Sequence, residues 1–434
     1  MRWLMVSVLG LCLLTAVLLA IYTVIRPRPY LPDRDLTAEF HALMRHGAGI
    51  EREEENRWAL FDRMMTAMNQ AEQEAMRKHD THAPRIVYAS LVDDDASLVN
   101  FRPVAEIAMN ELERAGVFDM LADLSRDPRA VPPVSTATPT IDSMIPHLGS
   151  LRDLARAVDV RQQRAKRAGD VAGAIDAMES KAALARIAFG MPTLLSFLTG
   201  VAIDVWAQES AMNIATMREA TLADIHRLMT IIKPPPDIAH AVEGERLWVL
   251  QQVMATPPSP VPLLGANPSR DAANVETFYD VFVAYVRGEP TPQLRKGETP
   301  DEWADRSFSR FSMVSMIGPG VSNFVDADRQ ARTRYAGAII GLALEAHHAQ
   351  HGRYPSTLAE LTPDILPKFP TSPYDPKGLV YRLPTAENTL GGRAYLLYSI
   401  GADGIDNGGL IHPEGGHLGL VKDKGIGYDF VIGR

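Results

Sequence analysis

Five side chains near the C-terminus, Asp403, Asp406, Asn407, Asp423 and Asp429, supply hard oxygen ligands in and beyond the stretch Gly401-Ala402-Asp403-Gly404-Ile405-Asp406-Asn407-Gly408-Gly409. Carboxylates set among glycines that turn carbonyls inward are calcium chemistry in type, although the ligand alternation of an EF-hand is absent. A solvated Gly-Asp turn explains the same residues without a metal. His347 and His351 stand one helical turn apart with Glu345 and His348 nearby. A zinc hydrolase helix places Glu directly after its first His, and here that position is His348. Cations are favoured in a last helical turn, so a helix end accounts for both imidazoles. Arg45-His46-Gly47 sets an arginine suited to phosphate beside a histidine suited to attack it. The preceding DLTAEFHALM has helical period, so these residues also fit a helix C-terminus with Gly47 as the stop. His412 and His417 lie in a Gly-rich loop, and the run Asp93-Asp94-Asp95 reads as solvated surface. No G-x-S-x-G elbow, P-loop or Rossmann fingerprint is present.

The elements around the terminal acidic loop are legible. RQARTRYAGAIIGLALEAHHAQH predicts a helix with Tyr335, Ala338, Ile339, Leu342 and Ala346 on one face, stopped at Gly352. STLAELTPDIL predicts a short second helix behind a capping-type Ser356, and GLVYRL (378 to 383) and AYLLYSI (394 to 400) predict two paired strands. A long helix ending in a G-x-YP turn (Gly352, Tyr354, Pro355), a DP…G…Y element (Asp375, Pro376, Gly378, Tyr381) and an S-x-GADG loop (Ser399, Gly401 to Gly404) follow in order. This order resembles the globular region of the major pseudopilin of bacterial type II secretion, over about a quarter of the chain. The resemblance implies a small α+β domain with calcium in the terminal loop. Asp403 matches the motif most directly, Asp406 stands beside it, and Asp429 corresponds only in lying after the loop. A pseudopilin runs from a processing site and membrane helix straight into this domain, whereas about three hundred residues intervene here, so the role of pilus subunit does not transfer. Arg45-His46-Gly47 resembles the RHG of histidine phosphatases, which implies the alternative of a membrane-tethered hydrolase using Arg45 and His46.

The uncharged run from Trp3 to Ile25 has the length of a membrane-spanning helix, with Trp3 and Tyr22 near its ends. Arg26, Arg28 and Arg34 follow it and Arg2 precedes it, a count that favours a cytoplasmic body. Long domains translocate regardless of such counts, and the pseudopilin resemblance favours the outside. From Leu36 to about Asp127 the pattern is helical, with Trp58, Phe61, Met65 and Met68 on one face and Ile107, Leu112, Phe118 and Leu121 on another. VPPVSTATPT breaks it. Two more helices meet near Gly169-Asp170, where RAKRAGDVAGAIDAM resembles a tetratricopeptide helix junction. The uncharged run from Ile187 to Ile203 carries Gly190, Pro192 and Gly200, which points to a buried core helix. KPPPD and PPSPVPLLGANPS punctuate the helices that follow.

The expected architecture is therefore mainly α: a transmembrane anchor at 1–30, a helical subdomain at 31–130, a linker at 131–147, a helical-hairpin body with Pro-rich connections at 148–324, and a pseudopilin-like α+β domain at 325–434. Hydrophobic residues at 46% and charged residues at 22% are ordinary globular values. A net charge of −9 argues against nucleic acid as a partner. The single cysteine, Cys12, excludes an intramolecular disulfide and a Cys-based zinc site. No catalytic constellation stands out. The expectation is a non-enzymatic scaffold or interaction protein in the inner membrane, single-pass with its body periplasmic, whose partners are proteins of the cell envelope.

Overall fold

A computed structural model gives the fold and describes residues 29–79, 86–92, 96–133, 140–257, 267–309, 312–317, 320–385, 390, 394–402, 404–409 and 430–432. The expected membrane helix from Trp3 to Ile25 lies outside these residues, and among the described residues no helix is long and apolar enough to cross a membrane.

The chain is mainly helical. Helices α1 (Leu36–Gly47), α2 (Trp58–Lys78), α3 (Arg102–Arg114) and α4 (Val117–Arg126) come first. They are followed by α5 (Thr140–Arg167), α6 (Val171–Gly190), α7 (Leu194–Ala215), α8 (Leu222–Ile231) and α9 (Ile238–Ala255). Then come α10 (Pro268–Val286), α11 (Pro300–Ser307), α12 (Met313–Ile317) and the long α13 (Val321–His351). The expected helical face of Ile107, Leu112, Phe118 and Leu121 is divided between α3 and α4, because Gly116 takes φ +68°, a conformation that ends one helix and leaves the next to start afresh. The expected junction at Gly169-Asp170 is present. Gly169 turns with φ +70°, and the Asp170 carboxylate caps α6 by accepting from the Gly173 N–H at 2.9 Å. The apolar run 187–203 is divided between α6 and α7, and Thr193 caps the second of them. The expected linker at 131–147 is shorter than predicted, since α5 already begins at Thr140.

Two units separate. One comprises Met1–Leu43, Val134–Ile141 and Val242–Ser322; the other comprises Met44–Pro133, Asp142–Ala241 and Asn323–Arg434. In the first, Phe278 stacks on Trp303 at 6.4 Å, Phe282 packs beside Phe278, and Arg246 reaches Glu276 and Asp280 at the surface. Asn267 and Thr299 supply the N-caps of α10 and α11.

The second unit carries the small antiparallel sheet, ordered β1 (Val380–Arg382), β2 (Leu396–Ser399) and β3 (Phe430–Ile432). The two expected strands pair in the register Val380 to Tyr398 and Arg382 to Leu396. The third strand has no clear signal in the sequence, because YDFVI is short and follows a Gly- and Lys-rich stretch. STLAELTPDIL forms only a 3-10 turn at Leu358–Leu361. Ala338, Ile339, Leu342 and Ala346 of α13 are buried as the period predicts, but not against the sheet alone. Their cluster takes in Leu361, Leu366, Leu379, Tyr395 and Leu397 together with Ile175, Met178, Ala211, Ile214, Ile225 and Leu228 of α6 to α8. The sequence division at residue 325 thus runs through a continuous hydrophobic core.

Candidate functional site

Of the residues singled out by the terminal motifs, Gly352, Tyr354, Pro355 and Tyr381 come together where α13 ends, whereas Asp375 binds Ser372, which meets Thr333 in the first half of that helix. Gly352 takes φ +68° and its N–H returns to the His348 carbonyl at 2.8 Å, which stops the helix. The turn brings Tyr354 back over the helix. Its hydroxyl donates to Glu345 at 3.1 Å, and the Tyr395 hydroxyl donates to the same carboxylate at 3.2 Å. Burial raises the Glu345 carboxyl above the ordinary range, while the two hydroxyls pull the other way. The Tyr381 hydroxyl donates to the Pro355 carbonyl at 2.9 Å, tying β1 to the same turn.

Asp375 is buried and works as a second joint. It accepts from the Ser372 hydroxyl at 2.6 Å and from the Ile400 N–H at 2.9 Å, fixing the Pro-rich turn to the end of β2. Gly378, at φ +97°, closes that turn through its N–H to the Asp375 carbonyl. Ser399 is fully buried and accepts from the Gly401 N–H at 3.1 Å. Each of these residues has an internal partner, so each is occupied in holding the turn, helix and sheet together.

Of the three expected calcium ligands, Asp403 and Asp429 lie outside the described residues. Asp406 is described, and its oxygens are already engaged. Oδ1 accepts from the Tyr398 hydroxyl and the Gly408 N–H, both at 2.8 Å, and Oδ2 pairs with Arg382 at 2.9 Å. The Tyr398 hydrogen bond, the Gly408 N–H and Arg382 hold its carboxyl below the usual range. This is the chemistry of a turn anchor, and it does not fit a ligand position unless Arg382 gives way. Among the described residues no group of three His, Cys, Asp or Glu is placed to hold a metal ion.

His347 and His351 stack face to face at 4.3 Å, so their nitrogens do not converge on one point. His347 Nδ1 bonds to the Arg353 carbonyl at 2.9 Å and His351 Nδ1 to the His347 carbonyl at 3.1 Å. Both rings serve the helix end. His348 stacks on Tyr354 at 4.5 Å. Arg45 and His46 sit in the last turn of α1, where Arg45 pairs with Glu53 and donates to the Glu51 carbonyl at 3.2 Å. Gly47 has its own packing reason, since a methyl there would meet the His240 ring at 2.1 Å.

No protein-family model, curated protein or solved structure matches this chain.

Sequence reasoning missed Lys181, whose side chain is fully buried at the meeting of α5, α6 and α7. Its ammonium donates to Asp159 and Gln162, both at 2.5 Å, and to the Ser210 hydroxyl at 2.8 Å. Three donors meet three acceptors. Burial pushes the ammonium pKa down and Asp159 pulls it back up. In the sequence Lys181 stands directly before the apolar stretch Ala182 to Ala185. A cleft of about 550 Å³ opens between α4, α5, α6 and α8, with Phe118 under Arg161 at 4.5 Å. Its charges largely answer one another, since Arg227 pairs with Asp176 and Glu179 at 2.8 and 2.9 Å.

Proposed function

We propose that this protein is a membrane-anchored scaffold or interaction protein of the cell envelope, with a pseudopilin-like C-terminal module and a link to a secretion or pilus-type system. In this reading Trp3 to Ile25 anchors it in the inner membrane, the body is periplasmic, and its partners are envelope proteins. The observation that carries it is the use to which the motif residues are put. Tyr354, Tyr381, Asp375 and Ser399 all have partners within the module, Glu345 being that of Tyr354, and the module shares its apolar core with α6 to α8. Residues spent on rigidity suit a module that is presented to a partner. The test is affinity capture of the full chain from detergent-solubilised membranes, together with a reporter, active only outside the cytoplasm, fused after Arg434. Recovery of secretion or pilus-type components with an active reporter is expected. A cytoplasmic reporter signal contradicts the topology, and a hydrolase activity abolished by His46→Ala contradicts the non-enzymatic role.

The reading includes calcium in the terminal loop, through Asp403 first and Asp429 beyond it, with Asp406 joining only on release from Arg382. A divalent ion offsets the mutual repulsion of these carboxylates and fixes the turn. At a hundred times its dissociation constant it adds about 2.7 kcal/mol if it binds only the folded chain. Melts of the full chain in calcium and in chelator should differ, and Asp403→Ala should remove the difference. Equal melting temperatures for the unsubstituted chain reduce the loop to the turn already anchored by Asp406.

A further inference from the structure

Buried carboxylates are costly unless cations or several donors meet them. In the larger unit Asp328 follows that rule, with Arg332 on both oxygens at 2.9 and 3.0 Å. Asp204 and Glu72 do not. Asp204 on α7 is 9% exposed and accepts from the Gln208 amide at 2.7 Å. The charged group that acts on it is Arg186 of α6, whose guanidinium donates instead to the Ile231 carbonyl at 2.7 Å. Gln208, 4% exposed, is left with a buried Oε1 that has no donor. Glu72 on α2 is half-buried and accepts from the Tyr88 hydroxyl at 2.8 Å. The charged group facing it is Asp153 of α5, which is itself negative. Among the described residues each carboxyl therefore has a neutral donor and no paired cation, and a proton is what the Asp204–Gln208 pair lacks.

We propose that the folded larger unit takes up protons at Asp204 and Glu72 as the solution turns from alkaline to acid, so that its stability is proton-linked through a pair within α7 and through the contact of α2 with Tyr88. Burial pushes both carboxyls up to about 7. Exposed carboxyls titrate near 4. The folded state then binds more protons than the unfolded state between those values. The stability these groups contribute is full below about pH 4 and is lost as pH rises through about 7. His147 and His240 act in the opposite sense, because burial pushes their pKa down and their contribution is lost as the solution turns acid. The diagnostic quantity is therefore the difference between variant and wild type at one pH, from which the histidines cancel.

The experiment is thermal melting of the full chain, Asp204→Asn and Glu72→Gln at pH 5 and at pH 8.5. The amide introduced by Asp204→Asn cannot charge, and its NH₂ can donate to Gln208 Oε1. Relative to wild type, each variant should gain at pH 8.5 by about 5 °C more than at pH 5. The same difference at both pH values overturns the proposal. The infrared stretch of protonated carboxylic acids in wild type at pH 6 gives a second measurement that needs no variant to fold. The band should be present there, and its absence overturns the proposal as well.

Discussion

A buried charge is informative because it must be answered, and Lys181 is answered on all three protons. Asp159, Gln162 and Ser210 come from two helices other than its own, so the ammonium pins α5, α6 and α7 in register. Removing one partner of such a set strands the others, which in general costs about 3–5 kcal/mol. Asp159 is 30% exposed and recovers some hydration, so Lys181→Ala should cost about 3 kcal/mol, near the lower end of that range. Lys181→Met keeps most of the packing volume and should cost less. Denaturant midpoints of the two variants decide it, and an Ala variant as stable as wild type contradicts the pin. At this scale the sequence was a partial guide. It found Asp375, Tyr381 and Gly378 as motif residues, and each has a defined joint in the fold. It could not show that Asp406 is taken by Arg382 and Tyr398, because that depends on which strand residues face the loop. Lys181 follows Glu179 and Ser180, so it reads as a surface residue until its acceptors, nineteen to twenty-nine positions away, are brought to it.

Elements were legible where a local signal is sufficient. Asp170 behind Gly169 marks a helix start, and the structure caps α6 with that carboxylate. The buried face of α13 follows from its period alone. Met65 and Met68 of α2 are buried with Phe61, as the stripe predicts, Met64 is buried although the stripe did not include it, and Trp58 is only half-buried. Errors arose where continuity had to be judged. Gly116 has apolar residues in helical register on both sides, so period carries a reader across it, and only its positive φ separates α3 from α4. The run 187–203 has the hydropathy of one long helix, yet Pro192 removes a backbone donor and the chain restarts at Leu194. The close approach of α6 and α7 follows from small residues. A methyl at Gly200 would stand 2.6 Å from the Phe189 ring, so overpacking there costs about 1–3 kcal/mol unless the ring moves.

For the molecule as a whole, linear reading fails where the core is assembled from distant segments. Breaks rich in proline and glycine divide the sequence into plausible domains, and residues 325–434 look self-contained because their motifs are contiguous. Burial divides it differently. Ile339, Leu342 and Ala346 share one apolar cluster with Leu397 of β2 and Tyr395 just before it, and also with Ile175, Ile214 and Leu228, which lie more than a hundred positions earlier. Cutting the chain at 325 removes one wall of that cluster and exposes a contiguous apolar surface. The shared core is what makes the terminal module part of the helical body, and it is open to one direct measurement. A fragment of residues 325–434 and the full chain should be unfolded by denaturant side by side, with hydrogen exchange followed at Leu342, Ala346 and Leu397. The shared core predicts no cooperative transition in the fragment and rapid exchange at these amides, with strong protection in the full chain. A fragment that unfolds cooperatively and protects the same amides as the full chain contradicts it.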